Sequence, residues 1–224
     1  MRKKQPKLAL LTIGQSPRAD LWEDIAPQLK FSAETQFFGL LDDPHTRRTL
    51  VTDSPGPDSL VTRLKNGSLV WISSGKAHGA LERLIDQVTL NIKPDGIIIL
   101  CTAIRKLRRH SSIPIFYPCI MIRERIFIKP ELPLGVILPK KEQWPHVDHE
   151  LFDLDVILCE APPKAGSKPF QKAAESLAEK GARLVVFHCM GYPVSATEPF
   201  IPSFENAIIH PRKILAQELN KIFA

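Results

Sequence analysis

Along the chain, short apolar runs alternate with segments whose apolar residues recur at helical spacing. Lys7 to Ile13 reads as a strand that stops at Gly14. Ser16-Pro17 follows, a pair suited to the N-cap and first position of a helix, and Leu21, Trp22, Ile25 and Leu29 then fall on one face. Phe37 to Leu41 predicts a short strand. Residues 42–60 carry Asp42-Asp43-Pro44 and Ser54-Pro55-Gly56-Pro57 and predict turns and loop. Leu69 to Ser73 predicts a strand, and Leu81, Leu84, Ile85 and Val88 a helix. Gly96 to Cys101 is almost wholly apolar and β-branched, as a strand covered on both faces requires.

The second half repeats the rhythm. Leu134 to Leu138, Asp155 to Cys159 and Arg183 to His188 predict strands. Pro139 opens a helical stretch with Trp144 and Val147. Phe170, Ala173, Ala174, Leu177 and Ala178 form a helical stripe closed by Lys180-Gly181, and Pro211 opens a last helix with Ile214, Leu215, Leu219 and Ile222. Strands alternating with helices predict an α/β fold with a mainly parallel sheet. The run from Leu8 matches the run from Leu134 in placement, and Ile97 to Ala103 matches Leu184 to Gly191 more closely. The offsets differ, so this is no fixed-period repeat. It predicts two similar α/β lobes, each with a mainly parallel sheet flanked by helices, the first carrying an insertion. The expected division is 1–117 and 118–210, with the boundary region near 117–133 and the helix 211–224 packing back on the first lobe.

A chain of 224 residues holds one large domain or two small ones, and buries about 70% of its unfolded surface without disulfide or metal staples. With 44% apolar and 24% charged residues, collagen-like, mucin-like and disordered classes are excluded. No apolar run approaches the roughly 18–20 residues that span a bilayer, so no membrane partner is expected. Four irregularly spaced cysteines form no disulfide framework, and no apolar leader follows the basic N-terminus, so a cytoplasmic location is expected. The net charge of +6 is local: it resides in Arg2, Lys3, Lys4 and Lys7, and in Arg105, Lys106, Arg108 and Arg109. A basic face with interleaved aromatics is absent, which disfavours nucleic acid as a partner. The second cluster follows a cysteine strand and is a candidate for drawing anions to a site there.

Ligands of open α/β sheets bind beyond the carboxyl ends of the strands. Cys101 and Cys189 each end an apolar strand and so become candidates for one cleft between the lobes. Two thiols on opposite faces of a carbon can invert it without a cofactor: a thiolate removes a proton on one face and a thiol returns one on the other. Buried free cysteine is also an ordinary core residue, and Cys159 ends a strand too. Cys119, after Tyr117-Pro118, reads as structural. No Cys-x-x-Cys pair supports zinc or dithiol chemistry, and no Gly-x-Gly-x-x-Gly supports a dinucleotide, so neither metal nor cofactor is expected. Lesser candidates are Ser16 as cap or ligand contact, Arg18 for a carboxylate, Tyr192 in the cleft or core, His78 and His188 as acid/base groups, and Ser73-Ser74-Gly75 as an anion-binding turn.

Leu11 to Asp20, Leu134 to Gln143 and Cys189 to Tyr192 together resemble the AroM family over most of the chain, the first segment being the most specific. That family is similar to the aspartate/glutamate racemase superfamily, whose members use two strand-end cysteines. Cys101-Thr102-Ala103 resembles their first motif, Cys-Asn-Thr-Ala, with the Asn missing. Cys189-Met-Gly-Tyr-Pro193 resembles the second, Cys-Thr-His-Tyr-Pro, with Gly191 replacing the supporting histidine. Gly14-Gln15-Ser16 stands where those racemases place Asp-Ser. The departures argue against glutamate as substrate. The resemblance implies a cofactor-independent racemase- or epimerase-like enzyme acting beside a carboxylate, with catalytic Cys101 and Cys189. A small carboxylate or amino-acid-like substrate would be held by Gly14, Gln15, Ser16, Arg18, Thr102, Gly191 and Tyr192. A one-cysteine decarboxylase or isomerase, and a non-catalytic binding or regulatory protein, stay open, as does a homodimer.

Overall fold

The computed structural model describes residues 5–224 apart from Pro57, Lys106, 108–111, 129–132, 148–150, Phe152, Ala165 and 205–206. In chain order the first half gives β1 (Lys7–Thr12), α1 (Ala19–Ile25), β2 (Glu34–Gly39), α2 (Pro44–Leu50), β3 (Val51–Thr52), β4 (Ser59–Arg63), β5 (Leu69–Ser73), α3 (Ser74–Ile92), β6 (Gly96–Ile99) and β7 (Ile115–Phe116). The chain continues with α4 (Pro118–Ile128), β8 (Leu134–Leu138), β9 (Val156–Glu160), α5 (Ser167–Glu179), β10 (Leu184–Phe187), α6 (Ile201–Phe204), β11 (Ile208–Ile209) and α7 (Pro211–Phe223).

Two parallel sheets carry the two lobes. The first runs β2-β1-β6-β7 and the second β9-β8-β10-β11. In each, the first strand of the set lies beside the second and third, and the fourth closes one edge. The match between β1 and β8, and between β6 and β10, is therefore topological as well as sequential. Strand alternation explains the unbroken apolar runs. Leu8, Leu10 and Ile98 turn into a central core that also takes Leu134, Val136 and Val186 of the second sheet. Ala9, Leu11, Ile97 and Ile99 face an outer core beneath α3, while Ile137, Val185 and Phe187 face another beneath α5. Leu21 and Ile25 of α1, Met121, Ile122 and Ile126 of α4, and Ile214, Leu215 and Leu219 of α7 fill the layer between the sheets. The last helix meets the first sheet's side directly: the Phe223 ring lies 5.6 Å from Phe31 and 6.1 Å from Phe116, and Asn220 Nδ2 donates to the Gln28 carbonyl at 2.9 Å.

Several local expectations change. Residues 42–60 are not all turn. Asp43 accepts the Thr46 N–H at 2.6 Å and Pro44 stands at the first helical position, so α2 forms there. β4 follows, and β3, β5 and β4 make a separate antiparallel sheet. Leu69 to Ser73 is thus a strand of the insertion and not of the parallel sheet. Residues 118–128, within the expected boundary region, are helix α4. The stretch after Pro139 is a 3-10 turn, Lys141–His146, with Pro145 inside it. Ser16 does not cap α1; the helix begins at Ala19, and Ser16 turns to Asp42 instead. The end of α5 is as read: Gly181 takes φ +77°, where a side chain would be strained, and donates to the Ala178 carbonyl at 2.9 Å. No helix among the described residues is long and apolar enough to cross a membrane.

Candidate active site

Both cysteines stand two residues beyond equivalent strands, Cys101 after β6 and Cys189 after β10. The turns that carry them are joined: Thr102 Oγ1 donates to the His188 carbonyl at 3.1 Å. The two half-buried thiols line one cleft of about 330 Å³ at the carboxyl ends of the sheets. The insertion sheet forms one wall through β4 and Leu69, and Pro139, Gln143 and His146 close it from the second lobe.

The thiols differ in environment. Burial pushes Cys101 up to about 12, only partly offset by the backbone N–H groups of Ala103 and Ile104. Burial also raises Cys189, but the Gly191 N–H donates to its sulfur at 3.2 Å, and the Arg18 and Arg212 guanidiniums favour its thiolate. Gly191 is constrained by this contact, since a Cβ there would lie 3.3 Å from Cys189 Sγ and 3.3 Å from Pro163. A side chain at this position would press on both and require one of them to give by a few tenths of an ångström.

Arg212, at the start of α7, is a residue the sequence reading missed. It is 3% exposed. Its Nε donates to the Met190 carbonyl at 2.8 Å, and its Nη1 to Asp24 at 2.6 Å and to the Asp20 carbonyl at 3.3 Å. Asp24 also accepts the Val194 N–H at 2.8 Å. One buried cation thus ties α1 and α7 to the turn after Cys189. A basic residue one position after the proline that opens a helix reads as an ordinary surface charge, so nothing in the sequence marks it.

The remaining expected residues divide. Arg18, Thr102 and Gly191 line the cleft with the cysteines, as does His188. Arg18 is already forked on a carboxylate, that of Asp20, at 2.8 and 2.9 Å. Thr102 is buried, and its hydroxyl hydrogen serves the bond to His188. Gly14, Gln15 and Ser16 lie outside the cleft lining and hold the insertion instead. Gly14 packs so close to the Arg63 carbonyl that a Cβ would collide with it, Gln15 donates its N–H to that carbonyl at 3.0 Å, and Ser16 bonds Asp42 through N and Oγ at 2.8 and 2.7 Å. Tyr192 is fully buried outside the cleft lining, its hydroxyl donating to the Ala161 carbonyl at 2.8 Å and its ring edge-on to Phe170 and Phe187.

Ser73-Ser74-Gly75 has an internal occupant: Asp58 accepts from Ser73 Oγ and the Gly75 N–H, each at 3.1 Å. His78 bonds the Ser74 carbonyl outside the cleft lining. Cys119 is buried and donates to the Ile104 carbonyl at 2.8 Å, supporting the turn after Cys101. Arg105 is exposed, whereas Lys106, Arg108 and Arg109 lie outside the described residues, as do Arg2, Lys3 and Lys4. Among the described residues, no cluster of three or more His, Cys, Asp or Glu side chains is placed to hold a metal. Arg63, Thr12, Thr62, His146 and Lys164 line the cleft without having been singled out in the sequence.

Among solved structures, the chain is similar to an allantoin racemase from Pseudomonas fluorescens, at 14% identity and a TM-score of 0.58 over 96% of this chain and 91% of that one. It is similar to a glutamate racemase from Bacillus anthracis, at 16% identity and 0.57 over 97% and 81%. It is likewise similar to a putative Asp/Glu racemase from Yersinia pestis, at 9% identity and 0.57 over 97% and 98%. At these identities the likeness is one of fold. No curated protein sequence matches the chain. The profile of one family, described as AroM protein, matches residues 8–223, and by that match across nearly its whole length the chain belongs to the AroM family, built on the racemase fold.

Proposed function

We propose that the protein is a cofactor-independent isomerase that moves a proton at a carbon next to a carboxylate. The observation that carries the reading is the pair of thiols at equivalent positions of two lobes, lining one cleft. Their unlike surroundings assign the roles. Cys189 has an N–H donor and two cations to hold a thiolate, so it takes the proton from the carbon. Cys101 stays protonated and returns its own proton to the other face. Each turnover breaks one C–H bond and forms another, leaving Cys189 as thiol and Cys101 as thiolate, and proton exchange with water resets the pair. Arg18 and Arg63 at the cleft wall favour the negative charge that builds on the carboxylate in between.

A second reading has one specific support. A thiol pushed to about 12 is a reluctant partner, which fits an enzyme that uses Cys189 alone for isomerisation or decarboxylation. Proton–deuterium exchange at the α-carbon in heavy water, across a panel of carboxylates, tests both. The two-thiol reading expects exchange with inversion in the wild type, and exchange without inversion in Cys101→Ser. Inversion persisting in the Cys101→Ser, Cys189→Ser double variant would exclude thiol catalysis. Exchange never accompanied by inversion, or release of CO2 with deuterium placed on the product carbon, would select the one-thiol reading, and neither exchange nor CO2 release with any bound carboxylate would leave a binding protein.

A further inference from the structure

We infer that the cleft takes a carboxylate with an apolar substituent and no free α-ammonium, a class distinct from the zwitterionic, acidic amino acids. The inference rests on the proposed site but concerns what fits it. Three features of the wall carry it.

The first is charge. Arg18, Arg63 and Lys164 line the cleft, and Asp20 is the one carboxylate in its lining among the described residues. Asp20 is itself committed, forked by Arg18 and approached by Arg63 Nη1 at 3.4 Å. The wall therefore offers surplus cation to a ligand carboxylate and no unclaimed carboxylate to an ammonium; the Cys189 thiolate of the proposed reaction is already held by the Gly191 N–H and lies near Arg18 and Arg212. An ammonium drawn into such a cleft would lose water without gaining a counter-charge.

The second is the apolar surface beside those cations. Arg63 of β4 is directly paired with Leu69 of β5, and Val61 lies two residues along on the same face of the antiparallel sheet. All three line the cleft, and Leu69 is 70% exposed although it is a leucine in a strand. An apolar substituent would cover it, while a second carboxylate would not. The third feature is size. A cleft of about 330 Å³ falls in the range that encloses ligands larger than a short amino acid.

The test is calorimetric binding to the wild-type protein with four probes: N-acetylphenylalanine, phenylalanine, N-acetylphenylalanine amide and N-acetylaspartate. The class predicts that N-acetylphenylalanine binds tightest, by about tenfold or more over each of the others, which respectively restore the ammonium, remove the carboxylate and replace the apolar group. Asp20→Asn frees the cations and should tighten N-acetylphenylalanine about threefold or more while leaving the amide unchanged, since only the first gains from a charge removed nearby. Phenylalanine or N-acetylaspartate binding as well as N-acetylphenylalanine would overturn the class, and so would the absence of binding by all four at millimolar concentration. The reading of the chemistry fails separately: a carboxylate probe that binds as ranked yet shows no α-exchange leaves the ligand class standing and removes the isomerase.

Discussion

At the residue scale, the cleft illustrates how one sequence element acquires chemistry from another far along the chain. Cys189 alone is an apolar thiol that burial discourages from ionising. Arg212, more than twenty residues later, brings a buried positive charge and fixes the Met190 carbonyl beside it. Arg212→Met should therefore do two separable things. It should destabilise the fold by about 2–3 kcal/mol, below the figure for a fully buried pair because Asp24 keeps contact with water. It should also shift the alkylation of Cys189 by iodoacetamide to higher pH, because the thiolate loses a stabilising cation. Arg212→Lys keeps the charge and should restore most of the alkylation profile though not the three-way hydrogen bonding. An unchanged profile in Arg212→Met would reduce the residue to scaffolding. In all three proteins Cys101 should alkylate after Cys189 as the pH rises, since its value is the one pushed to about 12.

At the scale of elements, the insertion decides the shape of the site, and it is the part least legible in the sequence. The parallel strands announce themselves because both faces are buried, so that Gly96 to Ile99 and Leu134 to Leu138 are unbroken apolar runs. β4 is short, lies in a small antiparallel sheet with one wall of a cleft, and carries Thr62 and Arg63 among its apolar residues, so no period emerges. The Asp43-Pro44 cap of α2 was visible as residues but is equally good turn chemistry. The Gly14 to Ser16 loop reads in sequence as a helix cap and a substrate contact, whereas its partners in the fold, Arg63 and Asp42, are distant in sequence and leave no local signal. The strand-end positions of Cys101 and Cys189 were legible from topology; that Tyr192 packs away from the cleft was not. Gly14 is where this can be tested. A Cβ there meets the Arg63 carbonyl, which cannot move without displacing β4. Gly14→Ala should cost about 1–3 kcal/mol, the range for overpacking, and should raise the hydrogen-exchange rates of β4 and β5 amides before those of β1. Uniform acceleration across both sheets would mean that the insertion is not the element that yields.

At the scale of the whole molecule, the two lobes share one central core, in which apolar residues of α1, α4 and α7 cluster with those of both sheets. The junction of that core with the second lobe contains one polar group that does not fit. His210, immediately before α7, is 1% exposed, its ring packs 5.5 Å from Phe187, and the Tyr192 and Pro193 backbone beside it favours the charged ring but lies outside good hydrogen-bond geometry for either ring nitrogen. Burial, with the charges of Arg212 and Lys213 nearby, lowers it to about 3. The sign of the consequence follows from linkage. Between about 6.5 and 3 the unfolded chain binds a proton on this residue and the folded chain does not, so stability rises with pH across that window and falls on acidification, by at most about 1.4 kcal/mol per pH unit for one group. Above about 6.5 both states are neutral and the residue contributes no pH dependence. His210→Leu removes the titration and replaces an unpartnered polar ring with an apolar side chain of similar size, a change that is neutral or stabilising when nothing is left unpaired. Urea unfolding at pH 7 and pH 4 should therefore show a variant at least as stable as the wild type at pH 7, and a smaller loss of midpoint on moving to pH 4. If the wild type and the variant lose the same amount, His210 is not the acid-sensitive group, and the carboxylates that the fold holds below their ordinary values, Asp20 among them, carry the acid dependence instead. Those act in the window below about 4, where protonation removes their native-state advantage, so the pH at which the midpoint begins to fall separates the two causes.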